Sequence, residues 1–291
     1  MNISRSKVRQ TALCYLYAYL SNASQPLESD LFWTMAQEKE RDHYRKAQAK
    51  ALLHAGRAAA DSARLLVERV AALENYAHAD MTAAGLREEV ERYANQSAAF
   101  DAALKALQYC LGDKLRDSTD QLTLCIGDVV RLAAVVVALG RELLPRFADF
   151  PMYRQQLDSL TAVMNRRARM LQVCASLAEP LQLAGNKEYA GLVRLAQDLQ
   201  DLRPAVETLV RNVIAHIPLF EPRLEGLLTN YSTDRLDVVD KAIIYLALYE
   251  LEESRLEVPI VVSEANALAD VYSGSKSAPF IHGVIAAAAN K

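Results

Sequence analysis

The run Asp237-Val-Val-Asp-Lys-Ala-Ile-Ile-Tyr-Leu-Ala-Leu-Tyr-Glu-Leu251 decides the fold class. Val238, Ala242, Tyr245, Leu246, Tyr249 and Leu251 recur at helical spacing, and Ile243, Ile244 and Leu248 widen the apolar surface to more than half of the helix circumference. A stripe that wide belongs in the centre of a helical bundle, not in a narrow coiled-coil seam. Asp234, Asp237 and Asp240 enrich the early turns in negative charge, where the helix macrodipole favours it, and Ser232-Thr233 offers a cap.

Two more amphipathic segments follow. Val258-Pro-Ile-Val-Val-Ser-Glu-Ala-Asn-Ala-Leu-Ala-Asp270 predicts a helix over 260–272, opened by Pro259. Tyr272-Ser-Gly-Ser-Lys-Ser-Ala-Pro-Phe-Ile-His-Gly-Val-Ile285 breaks at Gly274 and resumes as a helix over 277–289, with Ser275 and Ser277 as candidate caps. Working upstream, Pro218 and Pro222 predict a bent connection between helices at 205–216 and 219–229. Earlier helices are expected at 4–21, 29–76, 82–94, 97–111, 119–145, 152–178 and 186–200, with Ser24 or Ser29 as N-caps near Pro26. Hydrophobic residues make up 52% of the 291, enough to build a packed core, and the scarcity of Gly and Pro beside abundant Ala and Leu favours long helices. The expected fold class is all-α.

The first helix carries Arg5, Lys7 and Arg9 in its first two turns, with no acidic residue before Glu28. Cations there oppose the macrodipole, which points to an anionic partner; the alternative is a solvated basic end. Tyr15 and Tyr19 share a face, so Tyr17 points elsewhere, either to stack on a base or anchor a protein, or as a half-buried ring with its hydroxyl in water. Arg166-Arg-Ala-Arg169 is a second basic cluster, read as a solvated helix face in preference to an auxiliary RNA contact.

The chain shows no catalytic signature. Its five histidines form no HExxH or Cys/His cluster, and no phosphate-binding glycine loop, dinucleotide fingerprint or nucleophile elbow occurs. No metal or cofactor is expected. Cys14, Cys110, Cys125 and Cys174 are far apart in sequence without zinc or redox spacing, and read as buried thiols of a reducing compartment in preference to disulfides. A net charge of −3 confines any RNA site to a local patch. The most apolar stretch, Leu122 to Leu144, holds Asp128 and Arg131, which fits a bundle helix better than a membrane span. A soluble cytoplasmic protein is expected.

Residues 5–21 and 205–289 resemble the NusB family of transcription antitermination factors. The likeness is carried by the basic first helix, the Leu-Ala-Leu-Tyr-Glu-Leu run, the Val-Pro step, the Ser-Glu-Ala helix and the Phe-Ile-His-Gly-Val turn, in the family's order and spacing. His282 and Pro279 depart from the usual Asn and Lys of that turn. The resemblance implies a NusB-like helical core formed by 1–21 and 201–291, with 22–200 as a helical insertion. It implies a noncatalytic protein that binds boxA-type RNA together with the ribosomal protein NusE, in a complex helping RNA polymerase read through terminators of ribosomal RNA operons. It places Arg5, Lys7, Arg9, Lys276 and Phe280 at the RNA and Tyr17 and Asp240 at NusE, and leaves a homodimer open. Two other readings stand beside it: a helical interaction scaffold that has lost RNA binding, and an accessory domain of a ribosomal RNA cytosine methyltransferase.

Overall fold

The structure, a computed structural model, describes residues 3–22, 30–112, 119–228, 232–253, 256–274 and 277–289. Ser24, Pro26, Ser29, Ser275 and Lys276 therefore lie outside the described residues. The helices are α1 (Arg5–Ser21), α2 (Asp30–Ala36), α3 (Glu38–Ala77), α4 (Ala84–Gly112), α5 (Thr119–Arg146), α6 (Arg154–Ser176), α7 (Ala190–Leu227), α8 (Val238–Glu252), α9 (Val258–Tyr272) and α10 (Ser277–Ala289). They are linked in places by single 3-10 turns, and no strand occurs among the described residues. The protein is all-α.

Three expected breaks are absent, one in α4 and two in α7. The polar stretch around Asn95 does not interrupt α4, because Tyr93, Ser97, Phe100, Leu104 and Leu107 continue one buried stripe through it. Pro204, Pro218 and Pro222 all lie inside α7. Each removes an N–H from the helix ladder. All three are exposed, while Leu202, Val206, Val210, Val213, Phe220 and Leu224 form a buried stripe on the other side that holds the helix together. One expected helix is instead divided: α2 ends at Ala36 and α3 begins at Glu38.

The chain forms two compact units, 1–38 with 197–291, and 39–196. The first division falls later than residue 22 because α2 packs with the first unit. Phe32 meets the Tyr15 ring edge-on at 5.3 Å, and the Arg203 guanidinium lies 5.2 Å over the Trp33 ring.

In the second unit α4 and α5 pair antiparallel, and α6 packs on α5. Along α5, Val129, Ala133 and Val136 are buried in this unit's core. The α5 region is long and apolar enough to cross a membrane, yet 44% of that window is buried inside the structure. The basic cluster of α6 is split by the fold. Arg166 and Arg169 are exposed, but Arg167 is fully buried, donating to an Asp101 carboxylate oxygen at 2.7 Å and to the Ser97 carbonyl at 3.1 Å. The outer two arginines face solvent, as both readings of the cluster require, whereas the middle one fills the core with an ion pair.

In the first unit α8 is the central helix, contacting α1, α9 and α10. Residues 242–248 of α8 are all buried, including Ile244, Leu246 and Leu248, while Leu251 is partly buried. Truncating such a side chain leaves a cavity that neighbours on three helices must close. Leu246→Ala is expected to lower unfolding free energy by about 2–5 kcal/mol in urea denaturation, and a wild-type midpoint would contradict this placement of α8.

Candidate functional site

The start of α1 is held by charge. Arg9 is 4% exposed; its Nε donates to Glu250 Oε1 of α8 at 2.6 Å, and its Nη1 lies 3.4 Å from Glu264 Oε2 of α9. The anionic partner that the basic first turns called for is, for Arg9, inside the protein. This corrects the expectation that Arg5, Lys7 and Arg9 share one RNA-facing surface. Arg5 is exposed, Lys7 is partly buried, and Arg9 faces the core. Burial pushes the Glu250 carboxyl up from its ordinary range, and Arg9 offsets part of that rise, with a smaller effect from Arg5. Beside this pair lies a cleft of about 390 Å³, lined by Ile3, Arg5, Val8, Leu209, Glu250 and Leu256 among others.

Asp240 is also buried, at 6% exposure. Its carboxylate accepts from the Ser273 hydroxyl at 2.6 Å and the Ser277 hydroxyl at 3.0 Å, and the two hydroxyls lie 2.9 Å apart. Ser273 follows α9 and Ser277 begins α10. Asp240 thus ties the α9–α10 turn to α8. The expectation that it reaches an exposed patch with Tyr17 is corrected, because its oxygens are occupied within the fold. Phe280, one turn into α10, is partly buried against the first unit's core.

Tyr17 is 46% exposed on α1. It shares its side of the helix with Cys14, which hydrogen-bonds Tyr272 at the end of α9. Burial raises the Cys14 thiol, and Tyr272 partly counters that. Val271, next to Tyr272, is 68% exposed. Tyr272 and Val271, both exposed at the end of α9, are residues that sequence reasoning did not single out. Their signal was an aromatic and a branched residue at the end of an already satisfied stripe.

Two substitutions test these roles. Arg9→Ala leaves the Glu250 charge buried without its main partner and is expected to cost about 3–5 kcal/mol at neutral pH. Losing Arg9 also moves the folded-state Glu250 carboxyl further above its unfolded value. The folded protein then holds the proton more tightly than the unfolded chain does. The variant's deficit relative to wild type should accordingly shrink as pH falls toward that raised value and grow as pH rises through it. Denaturant melts across this range check it; a deficit independent of pH would refute the role of Glu250. Asp240→Ala is expected to cost about 1.5–3 kcal/mol or more, the range for a hydrogen bond to a charged group. A double-mutant cycle with Ser273→Ala should return a coupling of roughly 0.5–3 kcal/mol.

Comparison with known proteins bears on the chain's family. A model of the NusB family matches residues 164–290. A transcription antitermination protein NusB from an Anaeromyxobacter species is 35% identical over 79 residues, 27% of this chain and 55% of that protein, so the match spans only about half of that relative's length. The NusB protein of Anaeromyxobacter dehalogenans is 30% identical over 122 residues, 41% of this chain and 84% of its own length. That of Clostridium botulinum is 31% identical over 117 residues, 40% of this chain and 78% of its own. No solved structure matches the chain. With four-fifths or so of two such relatives aligned, residue 164 onward carries the family's sequence, and the chain belongs to the NusB family.

Proposed function

We propose that this protein acts in transcription antitermination, binding boxA-type RNA together with NusE and without catalysing a reaction. The observation that carries the reading is the membership itself, since the relatives are named transcription antitermination proteins. Exposed Arg5 beside the 390 Å³ cleft at the start of α1 supports it with a place for a phosphate and an adjoining base. Lys7 adds positive charge, Lys276 is retained from the resemblance, and Phe280 shapes the start of α10. Arg9 serves by holding α1 in place, so its part in RNA binding is indirect. Tyr17, exposed on α1, is the residue proposed to meet NusE, and Asp240 contributes indirectly, by tying the α9–α10 turn to α8. The site of action is the cytoplasm, where RNA polymerase reads ribosomal RNA operons.

A second reading, a helical scaffold that no longer binds RNA, is favoured by the diversion of Arg9 into the core. Titration of a labelled boxA RNA at several salt concentrations, with and without NusE, separates the two. Binding should weaken with salt, and Arg5→Ala should flatten the log–log slope by about 0.7, the value for one phosphate contact on a single strand, at an unchanged melting temperature. Tyr17→Ala should weaken the NusE complex and leave RNA binding by the free protein intact. RNA affinity that is absent in both conditions would establish the scaffold reading.

A further inference from the structure

Cys110 and Cys125 are separated by a helix-to-helix connection, and neither stands in a redox motif. The fold nonetheless brings their Sγ atoms to 3.1 Å. Cys110 lies in the last turn of α4 and Cys125 in the second turn of α5. The contact is in register with the antiparallel pair, because Arg146 of α5 meets Glu89 of α4 the same number of residues further along each helix. Both thiols are partly exposed, so a small reagent reaches them, whereas Cys174 is fully buried and Cys14 is engaged with Tyr272. A disulfide needs a sulfur separation of about 2.05 Å, and a shift of about an ångström at two helix ends supplies it.

We propose that Cys110 and Cys125 are a site of reversible oxidation, closed to an intramolecular disulfide by a low-molecular-weight disulfide such as oxidised glutathione. One protein thiolate attacks the reagent, forming a mixed disulfide and releasing one glutathione thiolate. The second protein thiolate then attacks the protein sulfur of that mixed disulfide and releases the other. Two protein thiols lose their protons and are oxidised together by two electrons, and one glutathione disulfide is reduced to two glutathiones. Burial foremost, then the neighbouring Cys110 thiol and Asp128, push the Cys125 thiol up to about 11. Little thiolate is thus present at neutral pH, and the site responds slowly, to sustained oxidation. The bond would join the two longest-contacting helices of the second unit across their connection and restrict its unfolded chain.

The test is intact-mass and peptide mapping of the reduced full-length protein after incubation with oxidised glutathione. The expected product has lost the mass of two hydrogen atoms, yields a Cys110–Cys125 linked peptide, and melts several degrees higher than the reduced form. Cys110→Ser and Cys125→Ser, compared by circular dichroism to confirm folding, should each stop at a single glutathione adduct. Glutathione adducts on both cysteines of the wild type, a linkage through Cys14 or Cys174, or no reaction at this pair would each overturn the proposal.

Discussion

The first unit depends on one buried ion pair, Arg9 with Glu250. An apolar stripe on α1 can slide along α8 with little change in the area it hides, because hydrophobic contact has no preferred direction. A guanidinium and a carboxylate taken out of water have no such freedom. Their desolvation costs several kcal/mol per ion and is offset only in one geometry. The pair therefore sets the register of α1. With it go Arg5, one turn toward the N-terminus, and Tyr17, two turns the other way. Glu264 adds α9 to the same contact at 3.4 Å, so three helices meet on one cation.

Seen from α8, the design is symmetrical in chemistry. Seven consecutive buried residues, 242–248, are flanked by two buried carboxylates, Asp240 and Glu250. Glu250 accepts a cation from α1, and Asp240 accepts hydroxyls from both sides of the α9–α10 turn. Hydrophobic burial makes the helix central, and the carboxylates decide where its neighbours stop. Two acids that sequence reading would place in solvent or at a partner thus act as internal fasteners, and the surface they organise is carried by neighbouring helices.

This division explains what was legible. The width of the apolar stripe at 238–251 is a local property, so the burial of Ile244, Leu246 and Leu248 follows from periodicity alone. Whether a charge is buried depends on a partner far along the chain. Arg9 is indistinguishable from Arg5 until Glu250 is in place, and Arg167 from Arg166 until Asp101 and the Ser97 carbonyl are. The same holds for Cys110 and Cys125, whose spacing matches no motif because a helical pair, not a loop, joins them. The prolines of α7 fail as stop signals for the opposite reason: a local rule is overridden by a buried stripe of six residues on the other face. That Tyr17 leaves the face shared by Tyr15 and Tyr19 was legible, because three tyrosines at alternate positions cannot share one helix face; that it is exposed and not half-buried was settled only by the packing around α1.

The family match and the compact units do not share a boundary. Residues 164–196 carry NusB-family sequence yet pack with the second unit, whereas α1 lies outside the match and packs with the first. For α1 the tie to the family core is physical. Both acids that hold Arg9, Glu250 and Glu264, fall inside the matched range, and so do Asp240, Ser273 and Ser277. A helix whose register is fixed by two matched carboxylates is part of the same core as those carboxylates, whatever its sequence similarity. With Arg9 committed there, a chain of net charge −3 has little long-range attraction for a polyanion. Under the proposed function, RNA binding at the start of α1 would draw on short-range contacts in the cleft and on a partner's charges, which is why that proposal pairs the RNA with a second protein.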